Sequence, residues 1–137
     1  MEAKELLGLD VGQAQTGIAR ASNIAQIAVP LFSVKTSQIM ASLQQLTKDQ
    51  PTEAIIVGLP RNLKSQETSQ TKWVREWVKK AKKQIEVPFY WQDEALTSQQ
   101  ALSFKLNTKN SVDEHALAAA IILQDFLDEP LSKRVLC

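Results

Sequence analysis

Runs of apolar residues alternate with polar segments along the whole chain. The composition and alternation predict five strands, at residues 6–11, 16–20, 31–34, 54–57 and 88–91. A turn at residues 12–15 would join the first two strands into a hairpin. The short run at 54–57, stopped by Gly58, is typical of a strand that is covered on both faces.

Apolar positions three and four residues apart predict helices between these strands. The predicted helices are one carrying Ile39 to Leu46 and closed by Pro51, one at residues 69–85, one starting at Ser98, and one from Val112 to about Leu127. A polar tail follows from about residue 128. Strands that alternate with helices after an opening hairpin indicate an α/β domain with a sheet of mixed direction.

The composition narrows the class of protein. A chain of 137 residues with 44% apolar residues, four Gly and five Pro folds as one globular domain and is neither disordered nor a two-domain protein. Its longest apolar run, residues 116–123, is too short to span a bilayer. The start of the chain has no secretory signal, and the single Cys137 supports no disulfide framework or thiolate metal site. We therefore expect a cytoplasmic protein.

A formal charge of +1 argues against a general polyanion-binding protein but not against a local basic face. The helix at 69–85 carries six cations and one acid, Glu76. The cations are Lys72, Arg75, Lys79, Lys80, Lys82 and Lys83. This stripe could bind the phosphates of a nucleic acid, or it could be the solvated side of an amphipathic helix. Trp73 and Trp77, four residues apart, are predicted to pack in the core rather than to stack on bases.

Acidic residues stand at the ends of predicted elements. Asp10 ends the first strand, Asp93 and Glu94 end the last strand, and Asp113 lies in the first turn of the last helix. Such ends can converge on one edge of an α/β sheet, where carboxylates repel one another unless a cation lies between them. Two Mg²⁺ or Mn²⁺ ions in such a site suit phosphodiester cleavage. Taken singly, each acid is also explained by a turn, a polar loop or the helix dipole.

Four motifs follow one another along the chain. They are Leu-Gly-Leu-Asp-Val-Gly at residues 7–12 with Thr-Gly-Ile-Ala at 16–19, Ile-Ile-Val-Gly-Leu-Pro-Arg-Asn at 55–62, Gln-Asp-Glu-Ala-Leu-Thr-Ser at 92–98, and Ala-Ala-Ala-Ile-Ile-Leu-Gln at 118–124. With these motifs the chain resembles the YqgF-like (RuvX-type) family of pre-16S rRNA nucleases, which are Holliday-junction-resolvase-like proteins. The first motif alone is weak, but four in order are specific.

The resemblance implies an RNase H-like fold, a mixed five-stranded sheet flanked by helices, in a single domain over residues 1–137. It implies Asp10 as the first metal-binding carboxylate, Glu94 as the second, and an Asp at the start of the last helix as the third. These residues would hold two Mg²⁺ or Mn²⁺ ions and carry the catalysis.

Further residues acquire roles from the same resemblance. Gly12 and Gly17 would be backbone requirements of the hairpin, where Cβ atoms would crowd the site. Asn62 and the loop up to Glu67 would flank the substrate. The charge pattern of the helix at 69–85, rather than the resemblance, makes Lys72, Arg75, Lys79 and Lys83 the candidates for nucleic-acid binding.

The third metal ligand is ambiguous. Counted back without a gap from residues 121–123, the family's last Asp falls on His115, whereas a two-residue insertion would make Asp113 the counterpart. Imidazole is a poorer ligand than carboxylate for Mg²⁺ but is acceptable to Mn²⁺, so a His115 ligand predicts a preference for Mn²⁺. Alternatively, His115 is a partly buried, hydrogen-bonded residue without a metal.

Three other positions depart from the family pattern. Ala95 stands where the family usually has Arg, Gln15 replaces a basic residue of the first hairpin, and Ser65 takes the place of a Gly. The first two changes remove possible phosphate contacts.

Several functions remain after this comparison. The leading one is an endonuclease of structured RNA that processes the 5′ end of precursor 16S rRNA, with ribosomal particles as partners. Cleavage of branched DNA, as by a Holliday junction resolvase, would use the same chemistry. A third is an RNA- or ribosome-binding module whose site has decayed. A phosphotransferase like the actin and sugar-kinase superfamily is excluded by length, because those proteins enclose the nucleotide between two such domains.

Overall fold

The computed structural model describes residues 3–60, 66–93 and 113–137. The described strands are β1 (Glu5–Val11), β2 (Gln15–Ser22), β3 (Val29–Lys35), β4 (Thr52–Leu59), β5 (Phe89–Asp93) and β6 (Val135–Leu136). The described α-helices are α1 (Ile39–Asp49), α2 (Ser69–Gln84) and α3 (Glu114–Asp128), with short 3-10 helices at Thr36–Gln38 and Leu131–Lys133. The helix predicted to start at Ser98 lies outside the described residues.

The strands form one sheet in the order β3-β2-β1-β4-β5-β6. β1, β4 and β5 run parallel, and the pairs β1–β2, β2–β3 and β5–β6 are antiparallel. The predicted mixed α/β sheet is confirmed. The prediction that Gly58 stops its strand is wrong, because Gly58 pairs with Gln92 of β5.

The expected number of five strands is also wrong, since the predicted polar tail contributes β6. Val135 and Leu136 pair with Trp91 and Tyr90, and the Cys137 amide donates to the Phe89 carbonyl oxygen at 2.8 Å. Two residues are too few to produce an alternating pattern in the sequence. They pair because the edge of β5 offers unpaired backbone groups.

The two faces of the sheet bury separate cores. On one face Leu7, Leu9 and Val11 of β1 pack beneath α1 and α2. On the other face, α3 covers a core that includes Leu6 and Ile56. Because side chains alternate along a strand, Asp10 lies on the same face of β1 as Leu6, toward α3.

The helix α2 shows why its pattern was readable from the sequence. Thr68 is its N-cap and forms a capping box with Thr71. Val74, Val78 and Ala81 are buried in the core, and Trp73 and Trp77 pack against it while partly buried. Both tryptophans therefore pack against the core, as predicted, although neither is fully buried. None of the helices in the described ranges has the length and apolar character needed to cross a membrane.

Candidate functional site

Asp10 is the only acidic residue on β1 beyond its first position, and it lies near the centre of the sheet. Its partner across the hairpin is Gly17 of β2, and Gly17 in turn pairs with Ser33 of β3. The Asp10 side chain is 24% exposed. An otherwise apolar strand thus presents one carboxylate, half-buried, on the α3 side.

Gly17 allows α3 to lie directly against the sheet. A methyl group at this position would be 1.9 Å from the carbonyl oxygen of His115, far inside van der Waals contact. The expected crowding at Gly17 is confirmed, and the crowding group is the first turn of α3. Gly12 meets its own turn instead, since its methyl would lie 2.7 Å from the Gln15 carbonyl oxygen.

This close approach places His115 beside Asp10. The His115 Nδ1 atom is 3.8 Å from the Asp10 Oδ2 atom, and the imidazole side chain is 49% exposed. The separation is longer than a hydrogen bond. It is compatible with two ligands of one ion, each about 2.1 Å from it. The His115 side chain is thus partly buried, as the alternative interpretation predicts, and its imidazole also lies beside Asp10.

Asp113 has a different set of partners. It is the N-cap of α3, and its carboxylate accepts a hydrogen bond from the His115 amide at 2.9 Å. The same carboxylate accepts a short hydrogen bond from the Ser33 hydroxyl. Burial acts to raise the pKa of Asp113, but these hydrogen bonds and those of the Ala116 amide outweigh it and lower the pKa. Asp113 is therefore ionised at neutral pH.

Two expectations about this helix start are corrected. The predicted start at Val112 is wrong, because the helix begins at Glu114 and Asp113 stands just before it rather than within its first turn. An N-cap carboxylate turns back toward the free amides of the first turn, which explains the bond to the His115 amide.

Ser33 is a site residue that the sequence did not reveal. Its hydroxyl lies between the Asp113 carboxylate and the Gln15 side-chain oxygen, 3.2 Å from the latter. Gln15 therefore extends this polar chain and contributes no charge. A serine in a short strand carries no sequence signal, and only the register of β2 and β3 places it here.

The remaining predicted ligands fall at the end of β5. Asp93 is exposed and, with Phe89 and Trp91, lies on the α2 side of the sheet, opposite Asp10. Glu94 follows it outside the described residues, as do Ala95, Asn62 and Ser65. Within residues 3–60, 66–93 and 113–137, no three His, Cys, Asp or Glu side chains come together as a metal-binding group. Asp10 and His115 supply two donors of the types that Mn²⁺ accepts.

The basic residues of α2 lie on the face of the sheet opposite Asp10 and His115. Arg75 forms an ion pair with Glu67 (Nε to Oε1, 2.7 Å), and Lys79 pairs with Glu76 (Nζ to Oε1, 3.2 Å). Lys72 and Lys83 are exposed. The structure therefore does not bring Lys79 and Lys83 to the same face as Asp10.

The first turn of α2 nevertheless reaches the turn that follows the carboxyl end of β1, close to Asp10. The Gln13 amide nitrogen, in the turn after β1, lies 3.5 Å from the Gln70 side-chain oxygen. Lys72 in this first turn therefore lies at the same end of the sheet as the β1–β2 turn, and the later cations of α2 lie progressively farther from it.

Comparison with known proteins places these features in context. Residues 4–129 match the model of the family described as RuvX, Holliday junction resolvase. A protein of Gloeothece citriformis named "Putative pre-16S rRNA nuclease" is 32% identical over 140 residues, covering 95% of this chain and 91% of that protein. A protein of the same name from Fusobacterium nucleatum is 30% identical over 134 residues, covering 91% and 97%.

Solved structures share the fold. The structure of Thermus thermophilus RuvC in complex with a Holliday junction substrate has a TM-score of 0.65 at 19% identity and covers 98% of this chain and 99% of that one. A second Thermus thermophilus RuvC structure has a TM-score of 0.62, again at 19% identity. These values establish a RuvC-like, RNase H-like fold for this chain.

Proposed function

Because the chain belongs to the RuvX family of Holliday junction resolvases, we propose that it is a metal-dependent endonuclease that processes the 5′ end of precursor 16S rRNA. The observation that carries this proposal is the approach of His115 to Asp10 at the carboxyl end of β1. The relatives named as pre-16S rRNA nucleases match over nearly the whole chain, which supports RNA as the substrate. The same proposal places the protein in the cytoplasm.

Nucleases with a RuvC-like fold generally use divalent metal ions. Asp10, Glu94 and His115 would hold two such ions, Mn²⁺ in preference to Mg²⁺ because one donor is an imidazole. When bound, the ions would activate the attacking water and stabilise the leaving oxygen. The chain's own contribution is orientation. Gly17 lets α3 seat the imidazole, and Asp113 fixes the first turn through the His115 amide.

The substrate would lie across the carboxyl ends of the parallel strands, from the face of the sheet that carries α3 to the face that carries α2. From Asp10 it would pass the β1–β2 turn and reach Lys72 and Arg75 at the start of α2. Lys79 and Lys83 would take phosphates further along, and Asn62 would flank the reacting strand. Basic side chains that follow a helix in this way add affinity that depends on salt.

Cleavage of branched DNA is the second candidate, and the description of the matching family favours it. Both substrates would use the same site. The two are distinguished by comparing cleavage of an RNA that carries the precursor 16S 5′ end with cleavage of a four-way DNA junction. Binding of either without cleavage would indicate a non-catalytic module.

Metal binding is the first test of the proposal. We expect Mn²⁺ to raise the Tm, since an ion at a hundred times its Kd adds about 2.7 kcal/mol to stability. For a domain of this size that corresponds to roughly 5–15 °C. Asp10→Asn should abolish the shift and reduce cleavage about a hundredfold or more.

Asp93→Asn is the matched control, because Asp93 also ends a parallel strand but lies on the other face of the sheet. It should retain the Mn²⁺ shift. If millimolar Mn²⁺ and Mg²⁺ leave the Tm of the unaltered protein unchanged, the proposed metal site is wrong.

A further inference from the structure

A groove lies on the α2 side of the sheet, between α2 and the strand β5, with Cys137 at its border. Its volume is about 490 Å³, within the range of sites that bind small molecules. Val78, Trp91 and Cys137 form its apolar floor. Val78 and Trp91 belong to the core beneath α1 and α2, so the groove and the Asp10 site are on opposite faces of the sheet.

Positive charge borders the groove. Its charged lining consists of Lys72, Arg75, Lys79, Lys82 and Glu76. The side chains of this lining sum to +3. Lys79 pairs with Glu76, Arg75 pairs with Glu67 outside the lining, and Lys82 donates a hydrogen bond to the Cys137 backbone oxygen. The whole of α2 has six cations and one acid, or +5, in a chain whose total is +1, so the remaining residues sum to −4. An anionic ligand is therefore attracted to this face of an otherwise acidic protein.

The floor of the groove contains one aromatic ring and no charged side chain. The Arg75 guanidinium lies 5.4 Å from the centroid of the Trp91 ring. Both groups stack on nucleobases. Burial raises the pKa of the Cys137 thiol to about 12, against the opposing effect of Lys82 and Arg75, so the thiol carries no charge at neutral pH. Cations above an uncharged aromatic surface suit a ligand that has both a base and phosphates.

We propose that this groove binds an unpaired nucleotide of a nucleic-acid strand, with its base against the paired Arg75 and Trp91 side chains and the neighbouring phosphates on Lys72, Lys79 and Lys82. A base within a duplex is stacked on its neighbours and cannot present its face to an indole, whereas an unpaired base can. The contact of Gln13 with Gln70 joins the start of α2 to the β1–β2 turn beside Asp10. This inference rests on the proposed action on nucleic acid and assigns it a second contact, remote from the cleavage site.

The test measures binding of a single-stranded RNA octanucleotide, U8, to the full chain in metal-free buffer. The indole N–H signals in NMR spectra report which tryptophan is contacted, and we expect the Trp91 signal to shift. Trp91→Leu should weaken binding about 5- to 150-fold, the effect of one stacked base. Lys79→Glu should weaken binding and reduce the salt dependence, by a slope of about 0.7 for each phosphate that the variant no longer neutralises.

Lys80→Glu is the matched control for Lys79→Glu. It makes the same charge change on the next residue of α2, outside the groove lining, and should leave the affinity within about twofold of the unaltered protein. Both lysines are exposed, so this comparison remains decisive if Trp91→Leu does not fold.

Three results would overturn the proposal. One is equal weakening by Lys79→Glu and Lys80→Glu, which would mean nonspecific charge attraction. Another is displacement of U8 by inorganic tripolyphosphate at the same concentration, which would mean phosphate binding without a base. The third is uridine monophosphate binding as tightly as U8, which would assign the groove to a free nucleotide. Since the assay needs no metal or cleavage, its failure would leave the nuclease proposal intact, and loss of the nuclease proposal would not alter its outcome.

Discussion

Two neighbouring side chains at the start of α3 serve different partners. The His115 imidazole lies 3.8 Å from Asp10, whereas the Asp113 carboxylate binds the Ser33 hydroxyl and the amide of His115. Asp113 therefore acts on the geometry of the helix start and of Ser33. We propose that His115, rather than Asp113, is the metal ligand beside Asp10.

This division predicts opposite results for two substitutions. His115→Ala should remove the Mn²⁺-induced rise in Tm and lower Mn²⁺-dependent cleavage of a structured RNA by about tenfold or more. Asp113→Asn should keep most activity, because Asn caps helices about as well as Asp. The measurements are cleavage rates over a range of Mn²⁺ concentrations and the Tm with and without Mn²⁺. Unimpaired activity of both variants would remove this helix start from the mechanism.

At the scale of elements, two glycines set the distance between α3 and the sheet. A methyl at Gly8 would meet Leu123 Cβ at 2.7 Å and the Ala119 carbonyl oxygen at 2.8 Å, and a methyl at Gly17 would meet the His115 backbone at 1.9 Å. The helix α3 is alanine-rich where it crosses β1 and β2. Its small side chains therefore also allow the helix to lie close to the sheet. Both features were visible in the sequence as motifs, but their pairing was not.

Gly17→Ala should therefore push the first turn of α3 off β2. We expect a loss of about 1–3 kcal/mol in the free energy of unfolding, the cost of overpacking, together with a weaker Mn²⁺ effect on the Tm because His115 moves. Gly8→Ala is the comparison, since its methyl presses on the middle of the same helix with a milder overlap. Denaturant unfolding of both variants checks the order. A Gly17→Ala protein as stable as Gly8→Ala would contradict this account of the packing.

At the scale of the whole molecule, the sheet separates the candidate metal site from the basic helix. Its two edge strands also differ in how they are covered. Asp10 and His115 lie beneath α3, and the basic helix α2 lies on the other face, so the formal charge of +1 is a sum over unlike surfaces. One edge of the sheet is β3. The other edge would be β5, but the two residues of β6 cover it.

Removing residues 135–137 should expose the backbone of β5. The chain would lose its pairing with Tyr90 and Trp91, the hydrogen bond from the Cys137 amide to Phe89, and the bond from Lys82 Nζ to the Cys137 backbone oxygen at 2.7 Å. We expect a lower Tm and concentration-dependent self-association, because an uncovered edge strand pairs with other chains. Sedimentation velocity measures the association. A monodisperse shortened chain with an unchanged Tm would show that β6 does not protect the edge.

The sequence by itself determined the α/β class, five of the strands, the helices α1 and α2, the helix α3 except for its exact start, and the family. Each of these depends on local patterns or on motifs that recur in order. It also singled out Asp10, because a carboxylate in an apolar strand is unusual at the level of a few residues. Trp73 and Trp77 were predictable for the same reason, because their helical spacing places both on the apolar side of α2, which faces the core.

Only the tertiary structure decided how distant segments meet. The register of β1, β2 and β3 aligns Asp10, Gly17 and Ser33, and the contact of α3 with Gly17 brings His115 to Asp10, although more than a hundred residues separate the two. The alternation of side chains along β5 places Asp93 on the face of the sheet opposite Asp10. The basic residues of α2 lie on that same opposite face. Strand register and helix docking are set by packing of the whole core, and no local pattern of residues encodes them.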